Sequence, residues 1–175
     1  MNGIGDMLIT DLEEIRRYAL KNEKKNWKFR TFLKFIDKPS IRIDPVVHRI
    51  YVDVVKQIDC TRCANCCKTL QPVVTRNEID TISRHFNIPE TEFISRYLKF
   101  APFSSDHAFA QRPCPFLENN LCRIYELRPE NCRSYPHLWK KEFRSRTMDV
   151  IANYSICPIV FNVYEQLKVA FKFRN

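Results

Sequence analysis

Four cysteines fall within eight positions, Cys60, Cys63, Cys66 and Cys67, and four more follow at Cys114, Cys122, Cys132 and Cys157. Two residues between thiols is the spacing at which one short turn aims both sulfurs at a single ion. Cys60–Cys63 and Cys63–Cys66 both meet it. The remaining ligands of such sites arrive from distant segments and staple them together, a role open to the four later cysteines. Adjacent Cys66 and Cys67 are harder to place on one ion, because neighbouring side chains point about 100° apart in a helix and to opposite faces in a strand. The pair is therefore expected to be divided: each thiolate serves its own centre, or one ligates and the other stays free.

The charges nearby suit thiolates. Arg62, Lys68, Arg112, Arg123 and Arg133 lie within two residues of a cysteine, against Asp59 and Glu130 alone. An all-thiolate site on a divalent ion is anionic, so cations beside it are the expected surroundings. The competing readings are inert buried thiols, strongest for Cys157 beside an apolar run, and disulfides, which a reducing compartment disfavours. Spacing does not separate zinc from an iron–sulfur cluster, since a remote Cys-Pro echoes ferredoxins and paired knuckles echo zinc. Zinc is the expectation here, with iron or an iron–sulfur cluster as the alternative. A radical-type cluster is disfavoured, because Cys63-x3-Cys67 has no cysteine two residues further on.

The run Cys60-x2-Cys63-x2-Cys66-Cys67, the segment Thr75-Arg76-Asn77-Glu78-Ile79 and the stretch CPFLENNLCRIYELRPENCRSYP at 114–136 together resemble the CxxCxxCC cysteine-cluster family. These are YkgJ-type proteins described as zinc- or iron-chelating. The resemblance covers about 60–140 and Cys157. It implies that Cys60, Cys63, Cys66, Cys67, Cys114, Cys122 and Cys132 hold the metal, and it implies no assigned activity. A flagellin lysine N-methylase shares such a cluster, but no catalytic residue carries over from it.

Several elements must position these thiols. Thr10-Asp11-Leu12-Glu13 fits a capping box that opens a helix over about 11–24. Lys38-Pro39-Ser40 and Asp44-Pro45 read as a linker or turn. The β-branched run 48–58 reads as a strand, or two, delivering Cys60. Thr75-Arg76-Asn77-Glu78 is a second capping box, and Pro89 opens a further helix through Phe93, Ile94, Tyr97 and Leu98. From 101 to 136 the chain is rich in proline and polar turn residues. Val160, Val163, Tyr164, Leu167 and Phe171 then recur at helical spacing.

Composition narrows the function. The chain of 175 residues is 45% apolar and 13% aromatic, enough for a real core. It has two glycines, Gly3 and Gly5, both ahead of the folded part. Nucleotide or S-adenosylmethionine loops need glycine where backbone meets ligand, so those familiar modes are excluded. The N-terminus lacks the basic and apolar regions of a signal peptide, and no apolar run is long enough to span a bilayer. A cytoplasmic protein with reduced thiols is expected.

Eight cations between Arg16 and Lys34 stand against the single Glu23 and make up most of the net charge of +9. The aromatics among them, Trp27, Phe29, Phe32 and Phe35, can form core with a solvated lysine face. The alternatives are contacts with nucleic acid, with an acidic protein partner or with a membrane surface. In 124–133, an Arg–Glu pair among Glu126, Arg128, Glu130 and Arg133 can brace the metal loop, and Arg128 and Arg133 can instead take an anion. His107, in a polar loop, and His137 could ligate, but eight thiols already suffice for two tetrahedral sites. His48 and His85 read as surface or helix histidines.

The fold expected is α+β, predominantly helical with a short β element, its irregular centre stapled by cysteine-bound metal. Residues 1–46 form a basic aromatic helical segment and 47–175 the cysteine-cluster domain. The function expected is metal binding through clustered thiolates. A redox or methyl-transfer-associated metalloenzyme with an iron–sulfur centre is one alternative, and a nucleic-acid-binding protein with a structural metal is another. Ligation at such sites is coupled to folding. Chelation should therefore expose thiols and loosen 60–67 and 101–140 together, a change that circular dichroism and thiol titration would register.

Overall fold

The computed structural model describes residues 7–36, 42–102 and 106–174. It divides into two compact units, Met1–Asp59 with Pro136–Asn175, and Cys60–Tyr135. The architecture is mostly helical with small antiparallel sheets. No described helix is long and apolar enough to cross a membrane.

Helix α1 spans Leu12–Lys21. Its cap is Asp11 rather than Thr10, because the Asp11 carboxylate accepts the Glu14 N–H at 2.7 Å, three residues into the helix. The helix expected over 11–24 stops at Lys21. There the backbone N–H and side-chain amide of Asn22 both donate to the Tyr18 carbonyl, at 2.9 and 3.0 Å. A second helix, α2, runs Glu23–Phe35 and buries Asn26, Phe29 and Leu33.

The expected strand at 48–58 is a helix. Helix α3 spans Ile43–Val55 and buries Ile43, Val47, Ile50 and Val54. Those four recur at steps of four, three and four, the helical period. Branched side chains had suggested a strand, but burial of one helical stripe outweighs intrinsic propensity. Asp44-Pro45 does not break the chain. It occupies the first turn, where proline's missing N–H has no partner to lose. The turn expected at Lys38-Pro39-Ser40 lies outside the described residues.

The second unit opens with two short helices, α4 at Cys60–Cys63 and α5 at Asn65–Thr69, joined by Ala64 in the left-handed region. Strand β1 (Val73–Val74) precedes α6 (Arg76–His85) and α7 (Glu90–Tyr97). Strands β2 (Leu98–Ala101) and β3 (Asp106–Phe109) complete a sheet of order β1-β3-β2, antiparallel throughout, with Val73 opposite Ala108 and Phe100 opposite His107. His107 is thus a strand residue rather than one in a polar loop; Ala108 and Phe109 beside it are buried and draw the segment into the sheet.

A hairpin follows, β4 (Leu117–Glu118) and β5 (Leu121–Cys122), turned by Asn119 and Asn120 at φ 49° and 65°. Two positive φ angles match the twist of the flanking strands, and asparagine tolerates them better than most residues. A 3-10 turn at Tyr125–Leu127 and helix α8 at Glu130–Arg133 close the unit.

Val74, Ile79, Ile82, Phe93, Leu98, Phe109, Phe116 and Ile124 are its core. Phe116 lies against Phe86, Tyr97 and Phe109 with centroids 5.2–5.5 Å away. Because Phe116 is two residues after Cys114, this aromatic packing fixes where that thiol stands.

The first unit is completed by α9 (Thr147–Tyr154) and α10 (Pro158–Ala170), the latter opened by Pro158 at its first position. Helix α10 packs on α3 and α9 and is buried on nearly all sides. Its polar residues are therefore paired. Lys168 reaches the Asn26 side-chain oxygen and Glu165, while the Tyr154 hydroxyl also donates to Glu165. The Asn162 side chain holds the backbone of Ile9 through both its oxygen and its amide, at 3.0 and 2.7 Å. The Asp44 carboxylate accepts the N–H groups of Glu142 and Phe143 at 2.8 and 3.0 Å, ordering the chain ahead of α9.

Seven described residues have positive φ, and none is glycine: Ala64, Asn87, Asn119, Asn120, His137, Glu142 and Lys172.

The second capping box forms as expected and extends further. One Glu78 oxygen accepts the Thr75 N–H at 2.8 Å, and the other accepts the Glu130 N–H at 2.6 Å. A single carboxylate thus holds the starts of both α6 and α8, and α8 carries Cys132. Glu78→Ala should cost about 1.5–3 kcal/mol, the range for hydrogen bonds to a charged group. Denaturant titration would measure it, and hydrogen exchange should rise at 130–133 more than at 90–97.

Candidate metal centre

Cys60 and Cys63 are the two ends of the single turn α4, closed by the Ala64 N–H on the Cys60 carbonyl at 2.9 Å. Ala64 then takes φ 49° and ψ 17°, which redirects the chain so that Cys66 and Cys67 start the next turn rather than extend the first. Cys60 is exposed, while Cys63, Cys66 and Cys67 are half-buried. The Lys68 ammonium donates to the Cys63 carbonyl at 3.2 Å, so a cation is held against this turn.

Cys67 is the hinge of the arrangement. Its carbonyl accepts the Cys114 N–H at 2.8 Å, tying the first cysteine run to the second. Cys114 in turn accepts the Leu117 N–H at 3.0 Å, opening the hairpin whose far strand sets Cys122 opposite Leu117. Cys132 sits in α8, which starts after buried Pro129 and is held by Glu78.

Four of the thiols influence one another electrostatically. Burial pushes the Cys132 thiol up to about 12, and the charges of Cys114, Cys67 and Cys122 add to the effect. Burial likewise raises Cys114 to about 11 against a backbone N–H from Phe116, with Cys67 and Cys122 adding. Cys122 is raised by burial and by Cys67, against a backbone bond at Ile124 and the charge of Arg128. Cys67, Cys114, Cys122 and Cys132 therefore lie within Coulombic reach of one another. Cys67 is the exception in sign. A hydrogen bond from Cys66, then the charges of Arg128 and Lys68, bring it down to about 7 despite its burial.

Arg128 is the cation common to Cys67, Cys122 and Cys132. Its guanidinium lies 3.4 Å from the Tyr125 ring centroid, and its Nε donates to the Tyr125 carbonyl at 2.8 Å. The aromatic face and the carbonyl together fix its direction. The brace expected from an Arg–Glu pair is present at Arg133–Glu130, 3.6 Å apart, but both side chains are well exposed and the pair adds little.

The Cys66 and Cys67 sulfurs are 4.0 Å apart. A tetrahedron with sulfur at about 2.3 Å has an edge of about 3.8 Å. Adjacency therefore does not by itself forbid one ion from taking both thiolates. Cys67 acts on all three later thiols in the unit. Among the described residues, no three Cys, His, Asp or Glu side chains are already gathered around one point that an ion could occupy. The donors fit a thiophilic ion by chemistry: all sulfur, half-buried and beside a fixed cation.

Cys157 is buried ahead of α10 in the first unit. His107 is half-buried in β3 with Phe100 edge-on at 6.4 Å. His137, at φ 62°, offers its carbonyl to Arg146 at 2.7 Å. His48 on α3 and His85 at the end of α6 are exposed, as expected. Sequence reasoning missed the second partner of Glu78 and the placement of Arg128 among the thiols. A capping-box glutamate signals only its own helix, so the former left no trace.

The thiolate fractions give a direct test. In metal-free protein at pH 7.5, Cys67 should be alkylated at least about tenfold faster than Cys114 or Cys132, because the thiolate is the nucleophile. Mass spectrometry of peptides after brief iodoacetamide treatment would read the order. Equal rates would contradict the grouping.

Comparison with known proteins places the cysteine region within a described family. The family model CxxCxxCC, described as "Putative zinc- or iron-chelating domain", matches residues 59–158, a span that includes all eight cysteines. A curated uncharacterized protein of Methanocaldococcus jannaschii is 31% identical over 81 residues, covering 45% of this chain and 43% of that protein. The chain thus spans less than half the length of that relative. No solved structure matches. The family description supports metal binding without choosing the metal. With more than half of its length matched and the cysteine run in register, this chain belongs to the CxxCxxCC family of zinc- or iron-chelating domains.

Proposed function

We propose that the chain is a zinc-binding module whose ion is held by the thiolates of Cys67, Cys114, Cys122 and Cys132. The observation that carries this reading is the mutual electrostatic influence of those four thiols, with Arg128 as their shared cation. Side-chain rotation would bring the sulfurs onto the ion, and four thiolates would close its coordination shell. A closed tetrahedral shell is the structural kind of zinc site, with no open position for substrate. Zinc with four thiolates carries net −2, and Arg128 offsets half of it while Lys68 lies close by. Cys60, Cys63 and Cys66 form a separate run by spacing and suit a second ion.

The ion would hold together a segment with little secondary structure of its own. Ligation free energy at structural zinc sites is on the order of 10 kcal/mol in small peptides, comparable to the stability of a whole domain. The role is therefore organisation of the surface around the ion, and the zinc is resident rather than transient.

Metal analysis of anaerobically purified protein tests the assignment. Zinc should be found, and Cys67→Ser, Cys114→Ser, Cys122→Ser and Cys132→Ser should each lose most of the ion that Cys60→Ser and Cys63→Ser retain. Cobalt substitution should give the spectrum of a tetrahedral all-thiolate ion. A brown, iron-containing protein would replace zinc with an iron–sulfur cluster, and full metal retention in Cys132→Ser would refute the ligand set.

A further inference from the structure

Helix α2 has two opposed faces. Asn26, Phe29 and Leu33 point into the first unit and are buried. Lys24, Trp27, Lys28, Thr31, Lys34 and Phe35 are exposed and, at 100° per residue, share an arc of about 120° on the other side. Trp27 is 39% exposed and Phe35 is 71% exposed, on a helix whose apolar stripe is already satisfied by core. Both rings are therefore accessible to a ligand lying along this face.

Among the described residues, no carboxylate lies within ion-pair distance of Lys24, Lys28 or Lys34. Lys24 and Lys34 are ten residues apart, so the lysines extend over about 15 Å of the helix. The cations also accompany the rings. The Arg30 guanidinium lies 5.7 Å from the Trp27 centroid, and the Lys34 ammonium lies 5.7 Å from that of Phe35. Helix α1, which precedes α2 across Asn22, carries exposed Arg16, Arg17 and Lys21. Arg17 and Lys21, with Tyr18, Asn22 and the single carboxylate of Glu14, line an open depression of about 330 Å³.

We infer that this face of α2, continued by α1, binds single-stranded nucleic acid. A row of lysines follows a phosphate backbone, and an exposed ring beside a guanidinium stacks on unpaired bases. Duplex DNA hides its base faces and would use the lysines alone. A membrane surface suits the face less well, since an interfacial helix turns its apolar stripe to the lipid, whereas that of α2 faces its own core. The inference does not depend on the metal assignment, because none of these residues carries a thiol.

Fluorescence anisotropy of the full metal-loaded chain with labelled fifteen-nucleotide RNA and DNA single strands, over a range of sodium chloride, is the test. Binding should weaken with salt. Trp27→Ala should reduce affinity at least about fivefold with the salt slope unchanged, and Trp27→Phe should restore much of it. The variant with Lys24→Gln, Lys28→Gln and Lys34→Gln should lower the slope of log affinity against log salt by about 2, from three lost phosphate contacts. All these side chains are exposed, and circular dichroism would check each variant's fold. Absent single-strand binding, affinity indifferent to these substitutions, or duplex bound as tightly and independently of Trp27 would each overturn the inference. So would phosphatidylserine vesicles that sediment the chain and are not displaced by oligonucleotide, which would assign the face to lipid.

Discussion

Four half-buried sulfurs cannot all be anions in one small volume unless a cation stands among them. Burial withdraws water from Cys114, Cys122 and Cys132, and any negative charge on one thiol opposes ionisation of the next. Arg128 can answer one such charge, and it acts on Cys67, where a hydrogen bond from Cys66 already favours the thiolate. The remaining thiols stay protonated until something more positive arrives. Backbone contacts tie together the segments that carry these thiols. The Cys114 N–H donates to the Cys67 carbonyl, Phe116 is anchored two residues later, and Glu78 holds the start of the helix of Cys132. The scaffold brings the sulfurs near one another, and a thiophilic ion would complete what their proximity makes costly.

The other unit handles buried charge by the opposite means. Lys168 is 5% exposed, yet its ammonium has Asn26 and Glu165 as partners and the Tyr154 and Tyr164 rings within 5.5 Å. Desolvation lowers its proton affinity, while Glu165 opposes the shift. Every member of this group comes from the polypeptide. Paired buried charge of this kind is poor evidence of extra stability, but removing one partner strands the others. It therefore restricts which helix registers the unit can adopt.

How much could be read beforehand depended on whether the signal was local. Helices α6 and α7 were legible because a capping box, a proline and apolar residues at helical spacing all fall between Thr75 and Leu98. Ile43 to Val55 was misread because its branched side chains speak for a strand, while the stripe of Ile43, Val47, Ile50 and Val54 speaks for a helix, and the stripe prevailed. His107 was misassigned because a four-residue strand drawn in by Phe109 has too little sequence to show its alternation. Within the centre, the thiols and their spacing were legible, but their grouping was not. The company of Cys67 depends on Phe116 finding an aromatic core and on a carboxylate 52 positions before Glu130, neither of which any spacing encodes.

The left-handed residues carry a final consequence. Holding a side-chain-bearing residue at positive φ costs about 1 kcal/mol, and a glycine at each site would avoid that cost. Glycine would also give the denatured chain more freedom to surrender, by about 0.4–1 kcal/mol per position. For Asn119 and Asn120, where the cost is smallest, the two effects nearly cancel. A polypeptide with only two glycines thus begins from a stiffer, less varied random coil, and its kinked backbone owes part of its persistence to conformations the disordered state never had.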